Sequence, residues 1–357
     1  MAVISFKCPN CDGELIFDPE SGAYKCEYCD SRFTQEQLDA MKPASENEHA
    51  VGSMDGSGGV DPAAAVDNAA VYHCPSCGAE IVTDATTAAT HCYYCQNPVV
   101  LSGRLTGKYL PDKVVPFSID RKKAEEMFLG YVGGKKFVPK AFFHKKQMDK
   151  LSGVYFPFWM YEADYTGRMK ADATKVRVWT SGDERYTETK YYQVTRAGQI
   201  QLQNLELNAL NKANKKLVEG VLPYQLEGAK DFSMGYLSGF QAEKRDIESA
   251  QWSAAARQET QQYARNLIRE SIGGYDHVHV SDCAMQLKHE SWSYVLLPIW
   301  TITYHGNNGK LYYYSLNGQT GKVCGELPIA YGKLAGVSGI IAAVVLALGL
   351  LGGLLIW

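Results

Sequence analysis

Several familiar catalytic motifs are missing from this sequence of 357 residues. It has no G-x-x-x-x-G-K-[S/T] phosphate loop, no G-x-S-x-G nucleophile elbow, no H-E-x-x-H metalloprotease motif and no G-x-G-x-x-G dinucleotide loop. The missing phosphate loop excludes a nucleotide-driven motor of the P-loop class. We therefore expect a protein that is not an enzyme. An active site assembled from dispersed residues stays open, because short motifs do not report one.

The sequence also lacks an apolar N-terminal segment that could act as an export signal. We therefore expect its ten cysteines to stay in a reducing compartment, where structural disulfides are rare. Basic residues are scarce in the first 100 positions, which hold fifteen Asp and Glu against four Lys and Arg. Because nucleic-acid binding needs a basic surface that displaces counterions from phosphates, we expect this region not to bind DNA or RNA.

Positive charge is concentrated after residue 100, where 32 Lys and Arg accompany 24 Asp and Glu. Three lysine pairs follow one another along the chain: Lys122-Lys123, Lys135-Lys136 and Lys145-Lys146. Two interpretations stay open for them. They contact anionic lipid or an acidic partner, or they form an ordinary solvated face.

Eight of the cysteines form a four-cysteine pattern that occurs twice with identical spacing. Two Cys-x-x-Cys pairs are separated by fourteen residues in each copy. The first quartet is Cys8, Cys11, Cys26 and Cys29, and the second is Cys74, Cys77, Cys92 and Cys95. Four thiolates complete a tetrahedral shell with no open position, so each quartet predicts a structural Zn²⁺ site in a small zinc ribbon.

Other readings of the quartets stay open. Iron in a rubredoxin-like shell is the alternative metal, and two pairs of disulfides are the alternative without a metal. His73 and His91 directly precede Cys74 and Cys92. We interpret both histidines as solvated neighbours and not as ligands, because adjacent residues of a strand point to opposite faces.

The C-terminal end is the one long apolar segment of the chain. No charged residue occurs in 334–357, and a helix of about 20 apolar residues crosses the ~30 Å hydrocarbon core of a bilayer. The nearby lysines all precede this segment. The positive-inside rule then predicts a single-pass, tail-anchored protein of the cell membrane with a cytoplasmic N-terminal body. Gly349 and Gly353 have the spacing of a helix-pairing face, which would allow a homo-oligomer.

These features predict a multidomain fold class. Two small zinc ribbons span 1–42 and 71–103, and a flexible linker poor in large apolar residues spans 43–70. An α+β antiparallel-sheet domain with an internal repeat spans 104–332, and a transmembrane helix spans 334–357. The flexible linker implies that the two ribbons move independently.

Local patterns predict the elements of the α+β domain. A helix capped by Asp120 is expected over 121–129, and a longer one over 246–272. The face of the longer helix that we expect to be buried contains Ile247, Trp252, Ala255, Tyr263 and Leu267. Antiparallel strands are expected over 155–202, with turns at Ser181-Gly182 and Ala197-Gly198, and further strands over 277–280, 294–304 and 310–316, with turns at Asn308-Gly309 and Asn317-Gly318.

The internal repeat is the motif V-x-x-P-x-W, which occurs at 154–159 and again at 295–300. Proline within a strand favours an edge or a bulge, and tryptophan brings a large apolar area. The two copies predict related halves of a sheet, each closed by its tryptophan. An aromatic ligand groove is the second interpretation.

Taken together, several segments resemble a bacterial family of membrane-anchored proteins with zinc ribbons of the transcription-factor-IIB type. The segments are C-P-S-C-G at 74–78, C-Y-Y-C at 92–95, L-P-D-K-V-V-P-F at 110–117, both V-x-x-P-x-W motifs and L-N-G-Q-T-G at 316–321. Such proteins are often labelled primosomal-helicase-like because of the ribbons, but the missing phosphate loop contradicts a helicase. Some members are encoded beside phage-shock-protein-A homologues and flotillin-like proteins, which they are thought to bring to the membrane. The resemblance therefore implies an adaptor role in envelope stress.

Two functions from different classes follow. The first is a non-enzymatic, membrane-anchored zinc-ribbon adaptor that recruits cytosolic proteins, with flotillin-like or phage-shock-protein-A-like proteins as the partners that the resemblance implies. The alternative is a nucleic-acid-binding or replication-associated zinc-ribbon protein. The acidic ribbons and the apolar C-terminal segment favour the adaptor.

Overall fold

The computed structural model describes residues 5–41, 69–92, 97–139, 148–305 and 310–356. Its helices are α1 (Gln35–Met41), α2 (Arg121–Gly133), α3 (Lys215–Glu219), α4 (Ser249–Glu270) and α5 (Tyr331–Ile356). Its strands are β1 (Leu15–Asp18), β2 (Ala23–Cys26), β3 (Arg32–Phe33), β4 (Ala69–His73), β5 (Glu80–Asp84), β6 (Thr87–His91), β7 (Pro98–Val100), β8 (Lys113–Val114), β9 (Ser152–Ser181), β10 (Glu184–Asn208), β11 (Lys230–Asp231), β12 (Gln241–Glu243), β13 (His277–His305), β14 (Leu311–Asn317) and β15 (Val323–Glu326). The predicted linker at 43–70 lies outside the described residues, except for its last two, which begin β4.

Across the described residues the strands form a three-stranded sheet of β1, β2 and β3, a two-stranded sheet of β4 and β5, and a ten-stranded sheet. The large sheet is mixed, because β8 pairs in parallel with β13 and β12 pairs in parallel with β9. The prediction of an antiparallel sheet is therefore wrong at these two pairs. In both cases the parallel partner is not the long strand that follows in the chain, because β8 precedes β9 but pairs with β13, and β12 precedes β13 but pairs with β9.

The large sheet contains two units of the same order, β8-α2-β9-β10 and β12-α4-β13-β14. Their long strands β9 and β13 are antiparallel neighbours, with Pro157 opposite Leu296 and Pro298 opposite Tyr155. Each unit's tryptophan is hydrogen-bonded to the other unit. The Trp159 indole N–H donates to a carbonyl just before α4 at 2.9 Å, and the Trp300 indole N–H donates to one just before α2 at 2.8 Å. This arrangement agrees with two related sheet halves.

The long strands differ from the predicted ones. The turn at Gly182, which has φ +62°, is confirmed, but the turn at Ala197-Gly198 is wrong because β10 continues through it. Gly198 lies opposite Gly167 in the ladder, and at Gly167 the Ile268 side chain leaves no room for a Cβ atom. Gly167 therefore marks a close approach of α4 to the sheet. Likewise β13 is one strand of 29 residues where the sequence predicted two.

Both helices predicted for the large domain are present, as α2 and α4, but the details predicted from periodicity hold only in part. Asp120 caps α2 as predicted, accepting a hydrogen bond from the Lys123 amide at 2.8 Å. Ile247 is buried as expected but precedes α4, and within the helix the expected buried face is wrong, since Tyr263 is 57% exposed. The buried stripe is Ala256, Thr260, Ala264 and Ile268. Small residues at i, i+4 spacing let the helix lie close to the sheet, so the larger side chains are left on its outer side.

Helix α5 is long and apolar enough to span a membrane. A 19-residue stretch, Tyr331–Gly349, has a mean hydropathy of 1.9, and none of it is buried against the rest of the chain. Because a helix of this composition leaves its apolar surface uncovered in water, its sequence suits a lipid environment.

Candidate metal centres

The four cysteines of the first quartet lie together. Their sulfurs are all within 4.8 Å of one another, with Cys8 Sγ 3.6 Å from Cys29 Sγ and Cys11 Sγ 3.5 Å from Cys26 Sγ. A tetrahedral zinc with Zn–S bonds of ~2.3 Å separates its sulfurs by roughly 3.8 Å, whereas a disulfide bond is about 2.05 Å long. All four thiols are free. The cluster could hold a metal ion and is not a pair of disulfides.

Three cysteines of the second quartet form a matching cluster. The sulfurs of Cys74, Cys77 and Cys92 lie within 4.8 Å of one another, and Cys77 Sγ is 3.7 Å from Cys92 Sγ. Cys95, the predicted fourth ligand, lies outside the described residues. This cluster, too, could hold a metal ion.

The local backbone explains why the sulfurs converge. The first cysteine of each pair donates its amide to the carbonyl five residues later, at distances of 2.6 to 2.9 Å; the pairs are Cys8–Gly13, Cys26–Ser31, Cys74–Ala79 and Cys92–Asn97. In three turns the residue after the second cysteine has positive φ; these residues are Asp12 at 60°, Asp30 at 56° and Gly78 at 74°. Asp and Gly tolerate this conformation better than most residues. Sequence reasoning missed this feature, although an Asp or Gly after each of these pairs would have signalled it.

Hydrogen bonding also prepares one of the thiols for a metal. The Ser31 hydroxyl and backbone bond the Cys29 sulfur and lower the pKa of this thiol to about 6. Metal ligation requires thiolates at every position, and the neighbouring Cys11 shifts the other way: the Gly13 backbone lowers its pKa, but the Cys29 and Cys26 sulfurs raise it to about 12 overall. Metal binding at this cluster therefore has to displace protons.

The two clusters are joined through one buried carboxylate, Glu14, which is 6% exposed. Its Oε1 accepts a hydrogen bond from the Ser76 hydroxyl at 2.8 Å and another from the Asn97 side-chain amide at 2.6 Å. Ser76 lies between Cys74 and Cys77, so a residue of the first predicted ribbon is hydrogen-bonded to the cysteine turns of the second. The expectation that the ribbons move independently is therefore wrong.

The first ribbon is also docked on the large domain. The Ser238 hydroxyl donates to the Leu15 carbonyl at 2.6 Å, and the Phe17 amide donates to the Ser238 carbonyl at 3.2 Å. The Phe17 and Tyr236 rings pack edge to face with centroids 5.1 Å apart. At Gly239, which has φ +86°, Ile16 occupies the place where a Cβ would lie. These contacts fix the first cluster against the large domain.

The second ribbon continues into the large sheet, because β6 pairs with β12 and β7 pairs with β6. Arg104 is buried and donates from Nε to the Tyr72 hydroxyl at 2.6 Å and from a terminal nitrogen to the Thr87 carbonyl at 2.8 Å. Lys212 forms ion pairs with Asp84 at 2.7 Å and with Glu243 at 2.9 Å. Strands from the predicted second ribbon are thus also part of the central sheet.

Comparison with known proteins identifies the family. No family model and no solved structure matches the chain. YdjG of Bacillus subtilis (strain 168), an uncharacterized protein, is 32% identical over 349 residues, which cover 98% of this chain and 97% of YdjG. The chain belongs to the YdjG family. The match spans both proteins almost from end to end and is not confined to the two cysteine clusters.

The two histidines beside the cysteines belong to neither metal cluster of this YdjG-family chain, within the residues that the structure describes. His73 is exposed, as predicted. His91 is half-buried, and burial lowers the pKa of its imidazole. The prediction of a solvated side chain is therefore wrong for His91, because the residue lies where the second ribbon meets the first ribbon and the large domain.

Proposed function

We propose that this chain is a non-enzymatic membrane adaptor. Two zinc ribbons present a binding surface for cytosolic proteins, and α5 holds that surface at the cell membrane. One observation carries this proposal: both cysteine clusters are packed against the same large domain, and that domain is followed by the apolar helix α5, whose candidate membrane span has no buried residue. In this proposal, the contacts between the ribbons and the large domain fix the position of a bound protein relative to the bilayer.

Zinc is the metal that we propose for both clusters. Four thiolates with sulfur spacings of 3.5 and 3.6 Å suit its tetrahedral shell. Cys95 completes the second shell in this proposal, because the Cys92–Asn97 hydrogen bond repeats the bond made by the other three turns. All-thiolate shells leave no position for a reacting water, so zinc here stabilises the ribbons and does not catalyse a reaction.

We propose a single-pass topology with the body in the cytoplasm. The lysines that precede residue 334 and the charge-free sequence of 334–357 support this orientation. A reducing cytoplasm also keeps the thiols available for metal, and none of the nine described cysteines forms a disulfide.

The ribbon surface suits a protein partner better than a nucleic acid. The first 100 residues hold fifteen acidic and four basic side chains, which repel phosphates and attract basic proteins. Tyr28, between two cysteines of the first cluster, is 75% exposed. An exposed tyrosine beside a rigid site provides contact area at little entropic cost. Phage-shock-protein-A-like and flotillin-like proteins are the partners that the family resemblance implies.

Affinity purification of the full chain from membranes tests the proposal. The wild type is compared with Cys11→Ser and Cys77→Ser variants, and co-purifying proteins are identified by mass spectrometry. The adaptor hypothesis expects a cytosolic protein that is retained by the wild type and lost from both variants, while all three chains stay in the membrane fraction. If instead the wild type binds DNA in physiological salt with a dissociation constant in the micromolar range or below, the nucleic-acid function replaces the adaptor hypothesis.

A further inference from the structure

An apolar groove lies where the chain leaves the body and enters α5. It has a volume of about 500 Å³, within the range of small-molecule sites. Its walls come from the end of α2, the loop after it, the segment before α5 and the first turn of α5; the apolar side chains that line it include Tyr131, Phe137, Val138, Leu327, Ile329 and Leu334. Val138 is 5% exposed and forms part of the floor.

Hydrogen bonds hold the two sides of this groove together. The Ala330 amide donates to the Phe137 carbonyl at 2.6 Å, and the Lys333 ammonium donates to the Val138 carbonyl at 3.1 Å. The Tyr131 hydroxyl reaches the Gly325 carbonyl at 3.5 Å. The groove is therefore a fixed feature of the junction between α2 and α5.

The rim of the groove is basic. Lys135 and Lys136 line it and are both exposed, and Lys333 stands beside it in the first turn of α5. The Lys135 ammonium lies 5.2 Å from the centre of the Tyr131 ring. The nearby carboxylate of Glu326 is paired with Lys310. The described residues around the groove thus leave a net positive charge beside an apolar surface.

We propose that this groove binds an anionic phospholipid, with an acyl chain against the apolar walls and the phosphate on Lys135 and Lys136. The inference rests on the proposed membrane anchoring by α5, and it assigns to the second lysine pair the lipid contact that the sequence left open. It gives the adaptor a preference for anionic lipid in addition to a hydrophobic anchor.

The depth of the groove relative to the bilayer and the charge of its rim both favour an anionic phospholipid as the ligand. If α5 crosses the bilayer, its first turn lies at the depth of the lipid headgroups, where Tyr331 is 70% exposed and aromatic residues are favoured. A lipid at that depth offers an acyl chain on one side and a phosphate on the other, which matches the apolar walls and the lysine rim. Lysines near an anionic leaflet each contribute about a fivefold factor in affinity.

The test uses the full chain in neutral detergent, titrated with dioctanoyl phosphatidylglycerol and followed by native mass spectrometry. Dioctanoyl phosphatidylcholine tests the headgroup charge, and glycerol 3-phosphate tests the headgroup without acyl chains. The double variant Lys135→Gln/Lys136→Gln removes the rim charge. The matched control, Lys122→Gln/Lys123→Gln, makes the same charge change at the other end of α2.

The proposal expects one retained phosphatidylglycerol, much weaker phosphatidylcholine and no glycerol phosphate. Affinity should fall about 30-fold in the rim variant, as two lysines predict, and stay unchanged in the control. Ile329→Asp, at an exposed position of the groove, should weaken binding as well. Equal retention of both lipids, or equal losses in the rim variant and its control, would overturn the proposal.

Flotation with phosphatidylcholine vesicles separates this inference from the anchoring on which it rests. The wild type and every lysine variant should float, because α5 inserts without anionic lipid. If the wild type floats and the rim variant still binds phosphatidylglycerol normally, the groove proposal fails and the anchor stands. If the wild type does not float, membrane anchoring itself is wrong and the lipid groove is excluded with it.

Discussion

Replacing Glu14 with alanine should weaken metal binding at the second cysteine cluster, although Glu14 belongs to the first ribbon. The buried Glu14 carboxylate accepts hydrogen bonds from Ser76 and Asn97, both in the metal-binding turns of the second ribbon. A hydrogen bond to a charged group contributes about 1.5–3 kcal/mol. Because Ser76 is exposed, its hydroxyl can bond to water once the carboxylate is removed, so the lower end of this range applies to each bond. The two hydrogen bonds together then contribute about 3 kcal/mol.

This loss should appear in metal affinity, because a structural zinc site and its ribbon fold together. A loss of about 3 kcal/mol corresponds to a roughly 100-fold increase in the dissociation constant of the second site. The assay is competition between the full, zinc-loaded chain and a chromophoric chelator of known affinity. A Cys77→Ser variant, which lacks the second site, assigns the two steps of the titration.

Two further variants make the result interpretable. Glu14→Gln keeps one acceptor oxygen and should show a smaller effect, while Glu20→Ala makes the same charge change at an exposed position of the first ribbon. If Glu14→Ala and Glu20→Ala give the same titration as the wild type, the two ribbons are not coupled and the interpretation of the Glu14 contacts is wrong.

Other outcomes follow from the same structure. Elemental analysis of the full chain, purified without oxygen, should find two zinc ions per chain; one or none, or iron in their place, contradicts the zinc assignment. Deleting 337–357 should move the protein from the membrane to the soluble fraction, and sedimentation that resists a high-salt wash would contradict anchoring by α5. Burial raises the pKa of Glu206 from 4.5 to about 7, so the stabilisation from this group is complete below its unfolded pKa and is lost as the pH rises through 7. Thermal unfolding should therefore show a larger stability advantage of Glu206→Gln over the wild type at pH 8 than at pH 5, and an equal difference at both values contradicts the assignment.

The sequence predicted the features that depend on local spacing. Two cysteines in a Cys-x-x-Cys pair specify by themselves a turn that brings their sulfurs together, and Asp120 specifies the start of α2 because a cap acts within three residues. The repeated V-x-x-P-x-W motif correctly indicated two related halves. Each of these signals lies within a few consecutive residues.

Features that depend on distant partners were not predictable in this way. The buried face of α4 was misassigned because Ala256 and Ala264 matter only once a flat sheet is known to lie beneath them. The parallel pairing of β8 and β12 depends on which long strand each one meets. No local sequence pattern marks Glu14 as a contact between the ribbons, and its role appears only when Asn97, 83 positions away, lies beside it.

The central claim is that metal-loaded ribbons bring a cytosolic protein to the membrane, and the most direct measurement is the share of that protein in the membrane fraction. Cells that produce the wild-type chain are compared with cells that produce the Cys11→Ser/Cys77→Ser double variant at equal membrane abundance. The adaptor account predicts that the partner is in the membrane fraction with the wild type and in the cytosol with the double variant. A partner distribution that is the same in both cells would contradict it.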